Sequence, residues 1–387
     1  MKHPHAWLII AGAMLFGSTL AQVATNPVKD DFKPTMTTQQ GKKYPQVNSE
    51  GRVRVQLAAP QANKVQLDIG AVKYDLVKDE QGVWTGESAP QDVGFHYYQL
   101  NVDGASVPDP GSLYYYGAGR WGSGIEVPSE DMDFFALKDV PHGQLVETYY
   151  YAKSSSSNRR VYIYLPPGYD KDPSQKYPVL YLQHGMGENE TGWGSQGYTA
   201  LIMDNLLAEG KAKPFIIVME NSSVNFGPGG RPARPAPGQA APANQERPNF
   251  AAEFERLLLN DLIPFVEANY RVIPNQANRA MAGLSMGGMQ TRLIVMANPS
   301  LFSHIGMFSS GTFTPTDIKD IDAFKPSVKL VFMSFGGRER GASRIGEAAE
   351  AWNQIGIKGV AYVSPETAHE WHSWRRSLYQ FAQLLFK

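Results

Sequence analysis

Apolar and polar positions follow two rhythms along the chain, and the change falls near residue 140. From about 47 to 127 short alternating runs recur. Arg52–Ala58, Lys64–Ile69, Val72–Val77, Val83–Glu87 and Phe95–Val102 each read as a strand, punctuated by Gly70, Gly82, Gly94 and Gly104. Short strands at that spacing predict a small β-sandwich over residues 46–135. No helical period occurs there. Beyond 140, strand candidates alternate with helix candidates. The strands are Val161–Leu165, Val179–Gln183, Phe215–Met219, Arg279–Ala282, Ile305–Phe308, Val328–Phe332 and Val360–Val363. The helices are Ala200–Glu209, Ala251–Asn269, Gln290–Ala297 and Ile345–Ile355. Apolar strands separated by helices predict an α/β architecture over residues 136–387, with a mainly parallel sheet covered on both faces.

Three segments fall outside both rhythms. Lys2 gives a positive start, Trp7 to Phe16 is apolar, and Thr19-Leu20-Ala21 puts small residues at −3 and −1. This predicts a signal peptide over 1–21 and an exported protein, periplasmic or extracellular. The apolar stretch is shorter than the roughly 20 residues a spanning helix needs, so no membrane insertion is expected after cleavage. Residues 22–45 are polar and turn-rich and read as a linker. Residues 227–248 are crowded with Gly, Pro, Ala and Arg, and read as a mobile surface insertion or a rim beside the site.

Composition narrows the chemistry. Of 387 residues, 36 are Lys or Arg and 37 are Asp or Glu, for a net charge of −1. That balance gives no footprint for nucleic acid or an anionic membrane. There is no cysteine, which excludes thiol nucleophiles, disulfides and thiolate metal sites. No His/Asp/Glu cluster has metal-binding spacing, and no Gly-Lys-Ser/Thr loop cradles phosphate. No metal or cofactor is expected.

One motif carries chemistry. Gly283-Leu284-Ser285-Met286-Gly287 matches G-x-S-x-G, with a strand candidate leading in and a helix leading out. In that setting a sharp turn lifts the serine hydroxyl clear of the sheet. A serine needs a base, and His304, His369 and His372 follow it. His304 starts a strand, and His372 lies one turn into a helix. His369 hangs after the last strand and is the expected base. The acid should follow the strand Val328–Phe332, where Glu339 sits in Gly336-Gly337-Arg338-Glu339; Glu366 and Glu347 are its rivals. The amides of Met186, in the loop Gln183-His184-Gly185-Met186-Gly187, and of Met286 are the expected oxyanion donors. His184 reads as structural, holding that loop.

The segments Leu180–Gly185, Arg279–Gly288 and Ala368–Arg375 resemble the esterase D-like branch of α/β-hydrolases, and more narrowly carbohydrate esterase family 1. The resemblance covers about 140–387 and implies an α/β-hydrolase fold with Ser285 as nucleophile and His369 as base. It implies an aspartate as the acid, and Glu339 departs from that. The front half is similar to early-set or family 48 carbohydrate-binding-module-like domains. The family implies a secreted, cofactor-free serine esterase acting on acylated plant cell-wall polysaccharide, feruloyl esters first. Acetyl xylan, siderophore esters and a non-catalytic carbohydrate-binding role are the alternatives. Trp193 and Trp371 are candidates to flank an aromatic acyl group, with core or rim packing as the equal alternative. In the front half Trp84, Tyr97, Tyr98 and Trp121 are candidates to stack on sugar, with core packing the better reading for most. The run Tyr114–Trp121 is expected between the halves or at the cleft.

Overall fold

Five strands of the C-terminal half have every residue buried: Val179–Gln183, Ile216–Glu220, Arg279–Leu284, His304–Phe308 and Leu330–Gly336. Burial on both faces is what continuous apolar runs in a parallel sheet require. In the computed structural model, which describes residues 28–223 and 250–387, they are the centre of an eight-stranded sheet. Its strands are β1 (Gln144–Ala152), β2 (Ser157–Leu165), β3 (Val179–Gln183), β4 (Ile216–Glu220), β5 (Arg279–Leu284), β6 (His304–Phe308), β7 (Leu330–Gly336) and β8 (Lys358–Ser364). Their order is β1-β2-β4-β3-β5-β6-β7-β8. β2 pairs antiparallel with β1 and β4, and every later pairing is parallel. This is the expected α/β-hydrolase sheet.

The helices that flank it are α1 (Thr199–Ala208), α2 (Phe250–Leu257), α3 (Met286–Ala297), α4 (Ile345–Gln354) and α5 (Trp371–Ala382). Alternation along each strand sends side chains to two cores. Val179 and Tyr181 join Val218, Met281 and Met307 under α2, α3 and α4, with Phe254, Ile294 and Trp352 as the helical contribution. Leu180 and Leu182 join Ile217, Leu284 and Phe308 under α1 and α5, with Leu206, Leu378 and Phe381. The single helix expected over Ala251–Asn269 is interrupted by a π turn at Leu258–Leu262. Pro264, in the first turn of the helix Ile263–Asn269 that follows, has no amide hydrogen for the ladder, and the wider turn accommodates the missing bond.

The N-terminal strands form two antiparallel sheets, one of five strands and one of six. Val53, Val55, Leu67, Trp84, Tyr98, Leu100 and Ile125 pack between them, so Trp84 and Tyr98 are core residues. Two strands that the sequence reading left out, Tyr114–Gly117 and Arg120–Val127, form a hairpin in the six-stranded sheet. The tyrosine and glycine run had hidden the alternation there.

The expected signal peptide 1–21 and insertion 227–248 lie outside the described residues. The linker expected over 22–45 is corrected where it is described. Lys33–Pro34 pairs with Gln46–Val47, and Thr37 is fully buried, its hydroxyl accepting from the Glu126 amide at 3.2 Å. This stretch is part of the sandwich.

The two halves share a core. Phe95, Tyr115 and Phe135 pack with Trp371, Trp374 and the α1 residues. Arg375 on α5 is fully buried and makes two bonds to Glu126, at 2.8 and 3.0 Å. Its guanidinium lies 4.8 Å from the Phe135 ring centre and 4.6 Å from that of Tyr198.

Candidate active site

Ser285 sits between the C-terminal end of β5 and the start of α3, with φ +50° and ψ −113°. That backbone is unfavourable for a residue with a side chain, and surrounding packing must hold it. The glycines explain how the turn closes. A Cβ on Gly283 would come within 2.4 Å of the Gly287 backbone, and one on Gly287 within 2.6 Å of the His184 carbonyl oxygen. The Ser285 amide donates to the Phe308 carbonyl at 2.8 Å, which ties the turn to β6.

His369 hangs on the loop between β8 and α5. Its Nε2 lies 2.9 Å from Ser285 Oγ, and its Nδ1 lies 2.8 Å from Glu339 Oε2. The half-exposed imidazole is therefore held between hydroxyl and carboxylate. Glu339 follows β7, and its other oxygen accepts from Ser309 Oγ at 2.6 Å and from the Gly336 amide at 2.8 Å. Burial works to raise the Glu339 pKa, but the bonds from His369, Ser309 and Gly336 outweigh it and hold the carboxyl below its ordinary value. It is thus ionised at neutral pH and suited to stabilise an imidazolium.

Two residues that the sequence reading missed complete this support. Trp374 Nε1 donates to Ser309 Oγ at 3.0 Å, and the Trp374 ring meets the His369 ring edge-on at 5.1 Å. Ser309 stands at the C-terminal end of β6, the edge of a parallel sheet where functional loops gather. Its place there was the only signal the sequence offered.

The loop after β3 runs beside the nucleophile. A Cβ on Gly185 would lie 3.5 Å from that of Ser285, and the Met186 amide follows directly. The Met286 amide opens α3, where the helix dipole favours negative charge. His184 is fully buried; its Nδ1 meets the Gly185 carbonyl at 2.7 Å and its Nε2 accepts from the Ser222 amide at 3.1 Å. Burial lowers its pKa, which fits a neutral ring bracing the loop.

Other candidates lie elsewhere. His304 and His372 are buried, and burial pushes each down to about 4. His304 Nε2 accepts from the Phe386 amide, and His372 Nε2 meets Asp131. Glu347 and Glu366 are exposed. Trp193 and Trp371 are corrected outright. Each is 1 % exposed, the two rings meet edge-on at 5.3 Å, and Trp193 Nε1 donates to the Gln183 carbonyl. They belong to the core and offer no face to an acyl group. Trp121 is half exposed and packs edge-on against Tyr116. Among the described residues, no group of three His, Asp or Glu could hold a metal, and no helix is long and apolar enough to cross a membrane.

Comparison with known proteins agrees with this geometry. Residues 152–383 match the family described as "Putative esterase". The chain is 43 % identical over 370 residues to an endo-1,4-beta-xylanase/feruloyl esterase of Xylanibacter ruminicola, covering 93 % of this chain and 48 % of that protein. It thus spans about half the length of that relative. A feruloyl esterase of carbohydrate esterase family 1 from Anaeromyces mucronatus, solved with ferulic acid, shares the fold: TM-score 0.52, 23 % identity, covering 67 % of this chain and 96 % of that one. The enterochelin esterase of Shigella flexneri does so over more of the chain, with TM-score 0.59, 14 % identity, 88 % of this chain and 94 % of that one. The chain belongs to this esterase family.

Proposed function

We propose that the protein is an exported serine esterase that removes acyl groups, feruloyl first, from plant cell-wall polysaccharide. The observation that carries the reading is the unbroken series from Ser285 Oγ to His369 Nε2 at 2.9 Å and from His369 Nδ1 to Glu339 at 2.8 Å. Ser285 attacks the ester carbonyl while His369 takes its proton at Nε2. The Nδ1–H donates to Glu339, which fixes the tautomer and offsets the imidazolium charge. The Met186 and Met286 amides receive the oxyanion. His369 then protonates the departing sugar alcohol. Water, deprotonated by the same ring, cleaves the acyl-enzyme and restores Ser285.

The feruloyl preference and the polysaccharide are supported by the name of the Xylanibacter ruminicola relative. Export is supported by the basic and apolar pattern of residues 1–21. Cavities of about 130 and 560 Å³ lie among the N-terminal strands and touch none of Ser285, His369 or Glu339, so neither serves the acyl group.

Methyl ferulate and acetylated xylan, offered side by side to wild type and Ser285→Ala, test the reading by product analysis. Ferulate release by wild type is expected, with turnover reduced by about 10⁴-fold or more in the variant. Acetate alone would make the protein an acetyl xylan esterase. Equal background hydrolysis by both proteins would leave a carbohydrate-binding protein without turnover.

A further inference from the structure

The loop that supplies the Met186 amide is gripped from the other half of the molecule. Tyr97 lies on strand Gly94–Val102 of the six-stranded N-terminal sheet. Its hydroxyl accepts from Gln196 Nε2 at 2.6 Å and from Trp371 Nε1 at 3.2 Å. Its own proton faces Glu188 Oε1 at 3.4 Å and the Tyr116 carbonyl at 3.5 Å. The other oxygen of Glu188 accepts from the Gly185 amide at 3.1 Å. One continuous path thus runs from Trp371, two residues beyond His369, through the Tyr97 phenol and the Glu188 carboxyl to the amide of Gly185, the residue before Met186.

The surroundings are built for this phenol. Gly117 faces it in the hairpin, and a Cβ there would lie 2.2 Å from the Tyr97 ring. The tip of the same hairpin holds the loop a second time, since the Gly119 amide donates to the Gly187 carbonyl at 2.8 Å. Glu188 is buried and, among the described residues, forms no ion pair. A buried carboxyl without a cation is costly to keep. Here it is spent on two hydrogen bonds that bracket the loop, and burial pushes it up to about 7.

We propose that Tyr97 and Glu188 are positioning residues for ester hydrolysis, fixing Gly185 so that the Met186 amide that follows it meets the oxyanion, and coupling it to the loop that carries His369. The inference rests on the reading of Ser285 as nucleophile and goes beyond it by placing part of the apparatus in the N-terminal sheet. A donor acts on a developing charge only if it is already in place, and small misplacements are costly in rate.

The test uses the full chain with Tyr97→Phe, Glu188→Leu and Glu188→Gln. Reactive Ser285 is counted with a fluorophosphonate, turnover is measured on methyl ferulate, and phenylboronic acid serves as a tetrahedral mimic. The expected result for Tyr97→Phe and Glu188→Leu is kcat per reactive site lower by about 10- to 100-fold with little change in KM. Inhibition by the boronic acid should weaken by a similar factor, because its adduct uses the same donors. Glu188→Gln, whose carbonyl still accepts from Gly185, should recover most of the loss. Should Tyr97→Phe fail to fold, the Glu188 pair decides. Wild-type turnover per reactive site and unchanged boronate inhibition in the folded variants would overturn the proposal. So would a Glu188→Gln no better than Glu188→Leu, which would assign the effect to packing. Failure of the underlying reading looks different: Ser285→Ala would then hydrolyse ester as wild type does.

Discussion

The two halves of the molecule bury their sheets in opposite ways. The eight-stranded sheet is covered on both faces by helices, and its central strands are buried along their whole length. The N-terminal sandwich keeps one core between its own sheets and lends Phe95, Tyr115 and Phe135 to the other half. The contrast teaches where each job resides. Ser285, His369 and Glu339 all stand on loops at the C-terminal ends of β5, β8 and β7. The sandwich touches this end of the sheet from outside: Tyr97 meets Trp371 at the start of α5, Asp92 pairs with Arg338 after β7, and Gly119 bonds to Gly187 after β3. It is therefore a bracket for the chemistry and not an attached spacer.

The comparison can be broken first at the acid. Glu339→Gln should lower kcat on methyl ferulate by about 10²- to 10⁴-fold while melting stays nearly unchanged, because the imidazolium loses its charged partner. Near-normal turnover would take the acid role away from this half's β7 loop. The next largest effect lies between the halves. Glu126→Gln strands the buried Arg375 charge and should destabilise the fold by about 3–5 kcal/mol in urea unfolding. A cost near zero would show that the halves are energetically separate.

A smaller effect is expected from pH. Burial pushes the Glu188 and Glu370 carboxyls each up to about 7, above their ordinary 4.5. The folded state thus holds protons that the unfolded chain has released, and their contribution is lost as pH rises through 7. His304 and His372, near 4 in the fold, act oppositely, and their contribution is complete above pH 6.5. Melting temperature should therefore fall from pH 6.5 to 8.5, and fall less in Glu188→Gln. A flat or rising profile would break this account. The smallest effect belongs to the exposed Arg338–Asp92 pair at 2.9 Å, where Asp92→Ala should leave urea unfolding nearly unchanged because solvent screens the pair. A larger loss would mark that pair as a true fastener of the two halves.

Sequence legibility followed burial. β3 was read with its observed bounds, Val179–Gln183, because a strand buried on both faces is an uninterrupted apolar run. β1 escaped notice. It is an edge strand whose outward Tyr149 and Tyr151 flank the buried Tyr150, so the alternation is masked by residue identity. At the site, the glycine-flanked serine has a local steric cause and shows in the sequence. Ser309, Trp374, Tyr97 and Glu188 act through contacts between distant segments, and no spacing announces them. Trp193 and Trp371 show the limit of residue type: a large aromatic near a motif suits a ligand face and a core equally, and burial puts both inside.

The bond between Glu126 and Arg375 spans 249 residues of chain. During synthesis the sandwich leaves the ribosome with that acidic side chain solvated and unmatched. The basic partner arrives only with α5, just after His369. The nucleophile, the base and the grip on their loops therefore come into register together, only once α5 has been made, and a product truncated before α5 cannot hold a working centre.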